Sequence, residues 1–263
     1  MSDLRSMIPM NAQQYAEEWS ISSDEHKVKN DYDWIAASLD KPSLILEIGC
    51  GNGNGTESLL NINSKVISIE INEHLAAKAY KRLSDLGFKV ELIDSKQISD
   101  ISLTSETQLF IIISSVFDDS VEYVASSHNF DYVLFSFFGA APIHAAKELG
   151  KEIVDLDMDY ARDYREKATK RAYDLSRTRN TSDTKLVIVD RGAQPKGYSK
   201  FDYKHAVAND INERLDVSVN HSDVKLRVNE AKQRTTSSSA MKYITNSNFT
   251  GNVGTPLIML TII

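Results

Sequence analysis

The stretch "LILEIGCGNGNGTESLL", residues 44–60, constrains the fold more than any other part of the chain. A continuous apolar run stops at Gly49, and four glycines then occupy alternate positions 49, 51, 53 and 55. Glycine weakens both strands and helices, so this density marks a place where the backbone turns sharply or meets something closely. The apolar run suits a strand buried on both faces of a parallel sheet. "NGTESLLN" after it reads as a short helix, whose first free N–H groups would point back into the loop.

The pattern repeats downstream. "KVISIEI" (65–71) reads as the next strand, "NEHLAAKAYKRLSDLG" (72–87) as a helix ending at Gly87, and "FKVELID" (88–94) as a third strand. Strand–helix–strand–helix–strand is the signature of an α/β fold with a doubly wound, mostly parallel sheet and helices on both faces. Such sheets bind ligands beyond the C-terminal ends of their strands. Gly49, Glu70 and Asp94 stand at three of those ends and are expected to line one crevice. A carboxylate at the end of the second strand can accept both hydroxyls of a ribose. The ligand expected here therefore contains a nucleoside.

The pattern E-x-G-x-G-x-G in "EIGCGNG", together with "VISIEIN" and "LID", resembles motif I and its partners in the class I S-adenosylmethionine-dependent methyltransferases. The resemblance runs over roughly residues 43–142. It implies S-adenosylmethionine as cofactor. Gly49, Gly51 and Gly53 would let the backbone approach its amino-acid part, and Glu47 would help hold its ammonium group. Glu70 would take the ribose hydroxyls beside Ile71, and Asp94 and Ser95 would sit at the adenine. Ser136, at the end of "FDYVLFSFFGAAP" (130–142), would face the methyl group if that segment is the fourth strand. If "QLFIII" in 108–117 is the fourth strand instead, Ser114 takes that place. The family fold also implies an antiparallel C-terminal hairpin, for which "LDVSVN", "VKLRVNEA" and "TPLIMLTII" are the candidate strands.

The remaining chain is read more coarsely. Residues 11–40 read as helix stopped by Pro42, and 1–42 as an N-terminal helical cap on a domain of 43–263. A long charged helix is expected over 143–179, a strand over 184–190, a helix near 203–214 and a polar loop over 233–240. Tyr15 and Trp19 could close over the cofactor or pack on the sheet.

Several function classes are disfavoured. A formal net charge of −7 argues against a duplex-binding surface, with "KRAYDLSRTR" (170–179) the one locally basic patch. The single cysteine, Cys50, excludes an intrachain disulfide and a multi-cysteine zinc site, and makes a reducing cytoplasm the expected compartment. No apolar segment is long enough to span a bilayer. Asp155, Asp157 and Asp159 alternate in "DLDMDY" but would not share a helix face, so no metal is expected. His144 and His205 are the candidate bases.

The implied reaction is methyl transfer to a small molecule or to a peptide or protein side chain. No N/D-P-P-aromatic run is present, and Cys50 lies inside the loop, so amino-group and cysteine-nucleophile mechanisms on bases are not supported. The alternatives are a non-catalytic chain that binds the cofactor as a sensor or partner subunit, an aminopropyl transferase of the same fold, and a dinucleotide enzyme.

Overall fold

The structure, a computed structural model, describes residues 10–40, 43–104, 106–157, 159–179, 183–228 and 253–263. One sheet of eight strands organises it, in the order β3-β4-β2-β1-β5-β6-β8-β7. The strands are β1 Leu44–Ile48, β2 Lys65–Glu70, β3 Val90–Asp94, β4 Leu109–Ile113, β5 Tyr132–Ser136, β6 Lys185–Pro195, β7 Val224–Val228 and β8 Val253–Ile262. β1 to β6 run parallel to one another. β8 is antiparallel to both β6 and β7.

The helices are α1 Ala12–Val28, α2 Asp31–Ala36, α3 Asn54–Asn61, α4 Glu73–Asp85, α5 Asp119–Ser127, α6 Pro142–Leu149, α7 Tyr160–Arg177 and α8 Lys200–Leu215. They cover both faces. One face buries Tyr32, Ile35, Leu59, Leu60, Ala79 and Leu83 of α2, α3 and α4 against Ile45, Val66 and Ile111. The other buries Val121, Val124, Ala168, Ala172 and Leu175 of α5 and α7 against Leu46, Ile67, Phe110 and Phe135. Each fully buried aliphatic side chain contributes about 1.5–3 kcal/mol. This layer of apolar contact holds the strand ends in register.

The strand order settles which segment lies beside β1. Both apolar runs are strands, and 132–136 is the one that pairs with β1. The run 109–113 instead inserts between β2 and β3, with Glu70 and Asp94 both opposite Ile113. The reason lies in composition. Leu109, Phe110, Ile111 and Ile112 are all buried, as an inner strand requires, whereas Glu91 and Leu92 of β3 are exposed, as an edge tolerates. The first three strands in chain order are therefore not three adjacent strands.

Other expectations change in detail. The helix expected over 11–40 breaks at Asn30, which adopts φ +56°; Pro42 lies outside the described residues. The helix expected over 143–179 divides at Gly150, with φ +66°, into α6 and α7. β6 runs beyond its expected end because β8 keeps pairing with it past the end of β5, with Arg191 opposite Ile258. "LDVSVN" is not a strand. The Asn212 side chain accepts from the Val219 N–H at 2.5 Å and donates to the Val219 carbonyl at 3.0 Å, taking the backbone groups a ladder would have used. The loop expected over 233–240 lies outside the described residues, as does the part of "VKLRVNEA" after β7.

α1 and α2 are tied to the body through polar groups. Asp31 is fully buried; its carboxylate accepts from His26 Nδ1 at 2.7 Å and from Arg227 Nε at 3.1 Å. Asn52 and Asn54 of the glycine loop donate to Asp24 at 3.1 and 2.7 Å.

Candidate functional site

At the C-terminal edge of the parallel strands lies a cavity lined by Gly49 and Gly51 of the loop, Glu70 and Ile71 after β2, Ser114 after β4, and Ser136 to Gly139 after β5. Tyr15 and Trp19 of α1 close it from above. With these two side chains in place the free interior is about 30 Å³, room for roughly one or two waters.

The loop geometry explains two of the glycines directly. Gly51 has φ +55°, and a Cβ there would meet Trp19 Nε1 at 2.6 Å. Gly53 has φ +86°, and a Cβ would stand 3.1 Å from the Ala79 backbone of α4. Gly51 thus serves close approach from the cavity, whereas Gly53 serves packing of the loop on a helix. Gly53 does not line the cavity.

Glu70 is the fixed polar group of the site. Its side chain is buried, with one carboxylate oxygen accepting the Gly51 N–H at 3.0 Å and the other the Asn72 N–H at 2.9 Å. The carboxylate keeps acceptor capacity, because it accepts about four hydrogen bonds. Burial raises its pKa to about 7, against the backbone N–H groups of Asn72, Gly51 and Ile71, which lower it. Glu47 is placed differently. It lies beneath the loop, accepting the Thr56 hydroxyl at 2.7 Å, and does not line the cavity. Burial raises its pKa to about 7 as well, with the Glu70 charge adding to the rise. Glu47 therefore joins the end of β1 to α3.

Asp94 and Ser95 do not line the cavity. The insertion of β4 puts them one strand farther from Gly49, and Asp94 caps the 3-10 helix Ser95–Asp100 by accepting the Lys96 N–H at 2.9 Å. Ser136 and its rival Ser114 both line the cavity, since β5 and β4 flank the β1–β2 pair on opposite sides.

The candidate bases lie elsewhere. His144 on α6 is half-buried, has a buried Nδ1 without a partner, and has its pKa lowered chiefly by burial, but it is not a lining residue. His205 on α8 stacks on His221 at 4.0 Å and lies outside the cavity. Asp157 accepts the Asp159 N–H at 2.9 Å. Among the described residues no group of three or more His, Cys, Asp or Glu could hold a metal. No helix among them is long and apolar enough to cross a membrane.

The turn after β5 carries the two aromatic residues of "SFFGAAP". Phe137 has φ +48°, a strained backbone for an aromatic residue. Its ring is gripped by His26, stacked at 4.3 Å, by Tyr32 edge-on at 5.9 Å, and by the Arg191 guanidinium at 5.6 Å. Phe138 beside it stacks on Phe135 at 4.5 Å and Tyr164 at 5.5 Å. The signal in the sequence was "SFFGAAP" itself: two aromatics and a glycine at a strand end.

The arrangement fits S-adenosylmethionine. Glycine backbone lines the cavity and a buried carboxylate faces it. Residues 45–155 match the family model described as a methyltransferase domain. No curated protein matches the chain. Among solved structures, an rRNA methylase from Streptococcus thermophilus is 14% identical, with 89% of this chain and 95% of that one covered at a TM-score of 0.40. Magnesium protoporphyrin IX methyltransferase from Synechocystis PCC 6803, solved with bound S-adenosylmethionine, is 12% identical, with 91% and 80% covered at a TM-score of 0.42.

Proposed function

We propose that this chain, whose residues 45–155 match the methyltransferase-domain model, is a class I S-adenosylmethionine-dependent methyltransferase that transfers the cofactor's methyl group to a small-molecule or peptide or protein acceptor. The observation that carries the reading is Glu70, a buried carboxylate held by the Gly51 and Asn72 N–H groups at the mouth of the glycine loop. Bound there, S-adenosylmethionine supplies a methyl group on a cationic sulfonium, open to in-line displacement.

The protein's own part is mainly positioning. Gly49 and Gly51 admit the ligand to the backbone. Glu70 orients the ribose through charge-assisted hydrogen bonds. Ser114 and Ser136 place hydroxyls at the two flanks of the cavity. Tyr15 and Trp19 exclude water once they close. Phe137, in its strained turn, fixes where Ser136 and Phe138 meet the reacting region. A methyl-release assay with labelled S-adenosylmethionine and panels of small molecules and peptides tests this. Methylation of an acceptor, lost in Glu70→Ala, is the expected result.

A second reading has one specific observation behind it. Tyr15 and Trp19 of α1 line the cavity, so a ligand bound there meets α1 directly. A non-catalytic sensor would use that contact to displace α1 as its output. Cofactor binding with α1 displacement, and no methyl release with any acceptor, would favour it.

A further inference from the structure

We infer that His26 is a positioning residue of the glycine-loop cavity: its ring, oriented by Asp31, holds Phe137 in the left-handed turn that sets Ser136 to Gly139 along the cavity wall. The inference rests on the methyl-transfer reading above, which gives that cavity to the cofactor.

Phe137 needs holding. At φ +48° an L side chain is strained, and only glycine takes that conformation freely. The Phe137 N–H donates to the Val189 carbonyl at 2.9 Å, which fixes the peptide before it and leaves φ free. The side chain must then select φ. It is buried, and the His26 ring lies along it at 4.3 Å, only 13° from parallel. A stacked aromatic pair stabilises beyond the area it buries.

His26 does not itself line the cavity, so it acts through Phe137. Its own orientation is set by a chain of hydrogen bonds. Nδ1 donates to one oxygen of the fully buried Asp31 at 2.7 Å. The other Asp31 oxygen accepts from Arg227 Nε at 3.1 Å, and Arg227 Nη2 donates to the Lys29 carbonyl at 2.8 Å. Burial holds the His26 pKa below its ordinary value. The ring is therefore neutral at neutral pH, with its proton on the nitrogen that faces Asp31. One line of contacts thus runs from β7 through Asp31 and His26 to the turn after β5.

The turn matters because its four residues, Ser136 to Gly139, all line the cavity. Phe138 also lines a second cavity of about 260 Å³ between α7 and α8, with Ala206 on the α8 wall. A turn that left φ +48° would displace these residues together.

The test is calorimetric titration of this chain with S-adenosylhomocysteine, in a cycle of His26→Asn and Phe137→Gly. Asparagine keeps an N–H donor for Asp31, so only the ring is lost. His26→Asn is expected to weaken binding about fivefold, as the competent turn becomes less populated. Glycine takes the left-handed turn unaided, so in the Phe137→Gly background the same change should alter affinity less than about twofold. A His26 that merely anchors α1 would cost the same in both backgrounds. Equal losses in the two, or no loss in either, overturn the inference alone. His26→Phe keeps a ring on Phe137 and should restore affinity to within about twofold of the parent; a loss as large as that in His26→Asn overturns the inference too. Should His26→Asn fail to fold, His26→Phe carries the test. Failure of the parent to bind S-adenosylhomocysteine overturns the methyl-transfer reading, and the inference with it.

Discussion

The two cavities that meet at Phe138 are built in opposite ways. The one at the glycine loop draws its key groups from a short stretch of chain, residues 49 to 71, and presents glycine backbone and one carboxylate. The one between α7 and α8 draws on side chains from residue 135 to residue 261, with its charges on two helices and a strand. A site made of backbone depends on φ angles and close approach, so only glycine serves and a motif results. A site made of scattered side chains leaves no motif. The two regions therefore differ in how they answer to substitution.

The sharpest contrast is in stability. Gly53→Val forces a β-branched residue to φ +86° against the Ala79 backbone. The expected cost is about 2–4 kcal/mol, from left-handed strain and overpacking together. Ala206→Trp, facing open cavity space, should leave stability within about 0.5 kcal/mol. Urea unfolding of both variants breaks the comparison if the two costs are equal.

The same contrast explains what was legible in the sequence. The β-α-β-α-β start, the loop and Glu70 could be read because apolar runs, helix periodicity and glycine spacing are all local. The place of β4 was not read, although its four consecutive buried apolar residues against the mixed "VELID" held the clue to which strand is inner and which is edge. The break at Asn30 and the loss of "LDVSVN" depend on a left-handed residue and on one asparagine side chain, neither of which periodicity detects. The cavity between α7 and α8 depends on how distant helices pack, and no spacing in the chain records it.

Next in size is the effect of Glu70→Ala on the loop cavity. Removing the carboxylate should weaken S-adenosylhomocysteine binding by about 1.5–3 kcal/mol for each charge-assisted bond lost. Unchanged affinity would mean that the ribose lies elsewhere.

The buried carboxylates at and beneath the glycine loop also make the protein answer to pH. Burial raises Glu47 and Glu70 to about 7. Each folded pKa lies above the unfolded value, so the folded protein holds more protons between them. The stability this contributes is full below about 4.5 and is lost as pH rises through 7. Thermal unfolding of the ligand-free protein should show a higher midpoint at pH 5.5 than at pH 8. Because ligand hydroxyls favour the ionised Glu70, S-adenosylhomocysteine should bind several-fold more tightly at pH 8 than at pH 6, releasing protons. Titration in buffers of different ionisation enthalpy reads that release; proton uptake would contradict it.

The smallest expected effect concerns the edge of the sheet. Asp94 caps a 3-10 helix and lies one strand beyond β4. Asp94→Asn should change S-adenosylhomocysteine affinity by less than about twofold, whereas a group bonding the adenine amine would cost about tenfold. A tenfold loss would show that the adenine extends past β4 to the sheet edge.

The central claim is that the glycine loop and Glu70 hold a sulfonium nucleoside. Calorimetric titration of this chain with S-adenosylmethionine, S-adenosylhomocysteine and NAD tests it most directly. The account expects both sulfur nucleosides to bind with one-to-one stoichiometry and NAD to give no heat of binding. Binding of NAD with no binding of either sulfur nucleoside would contradict it.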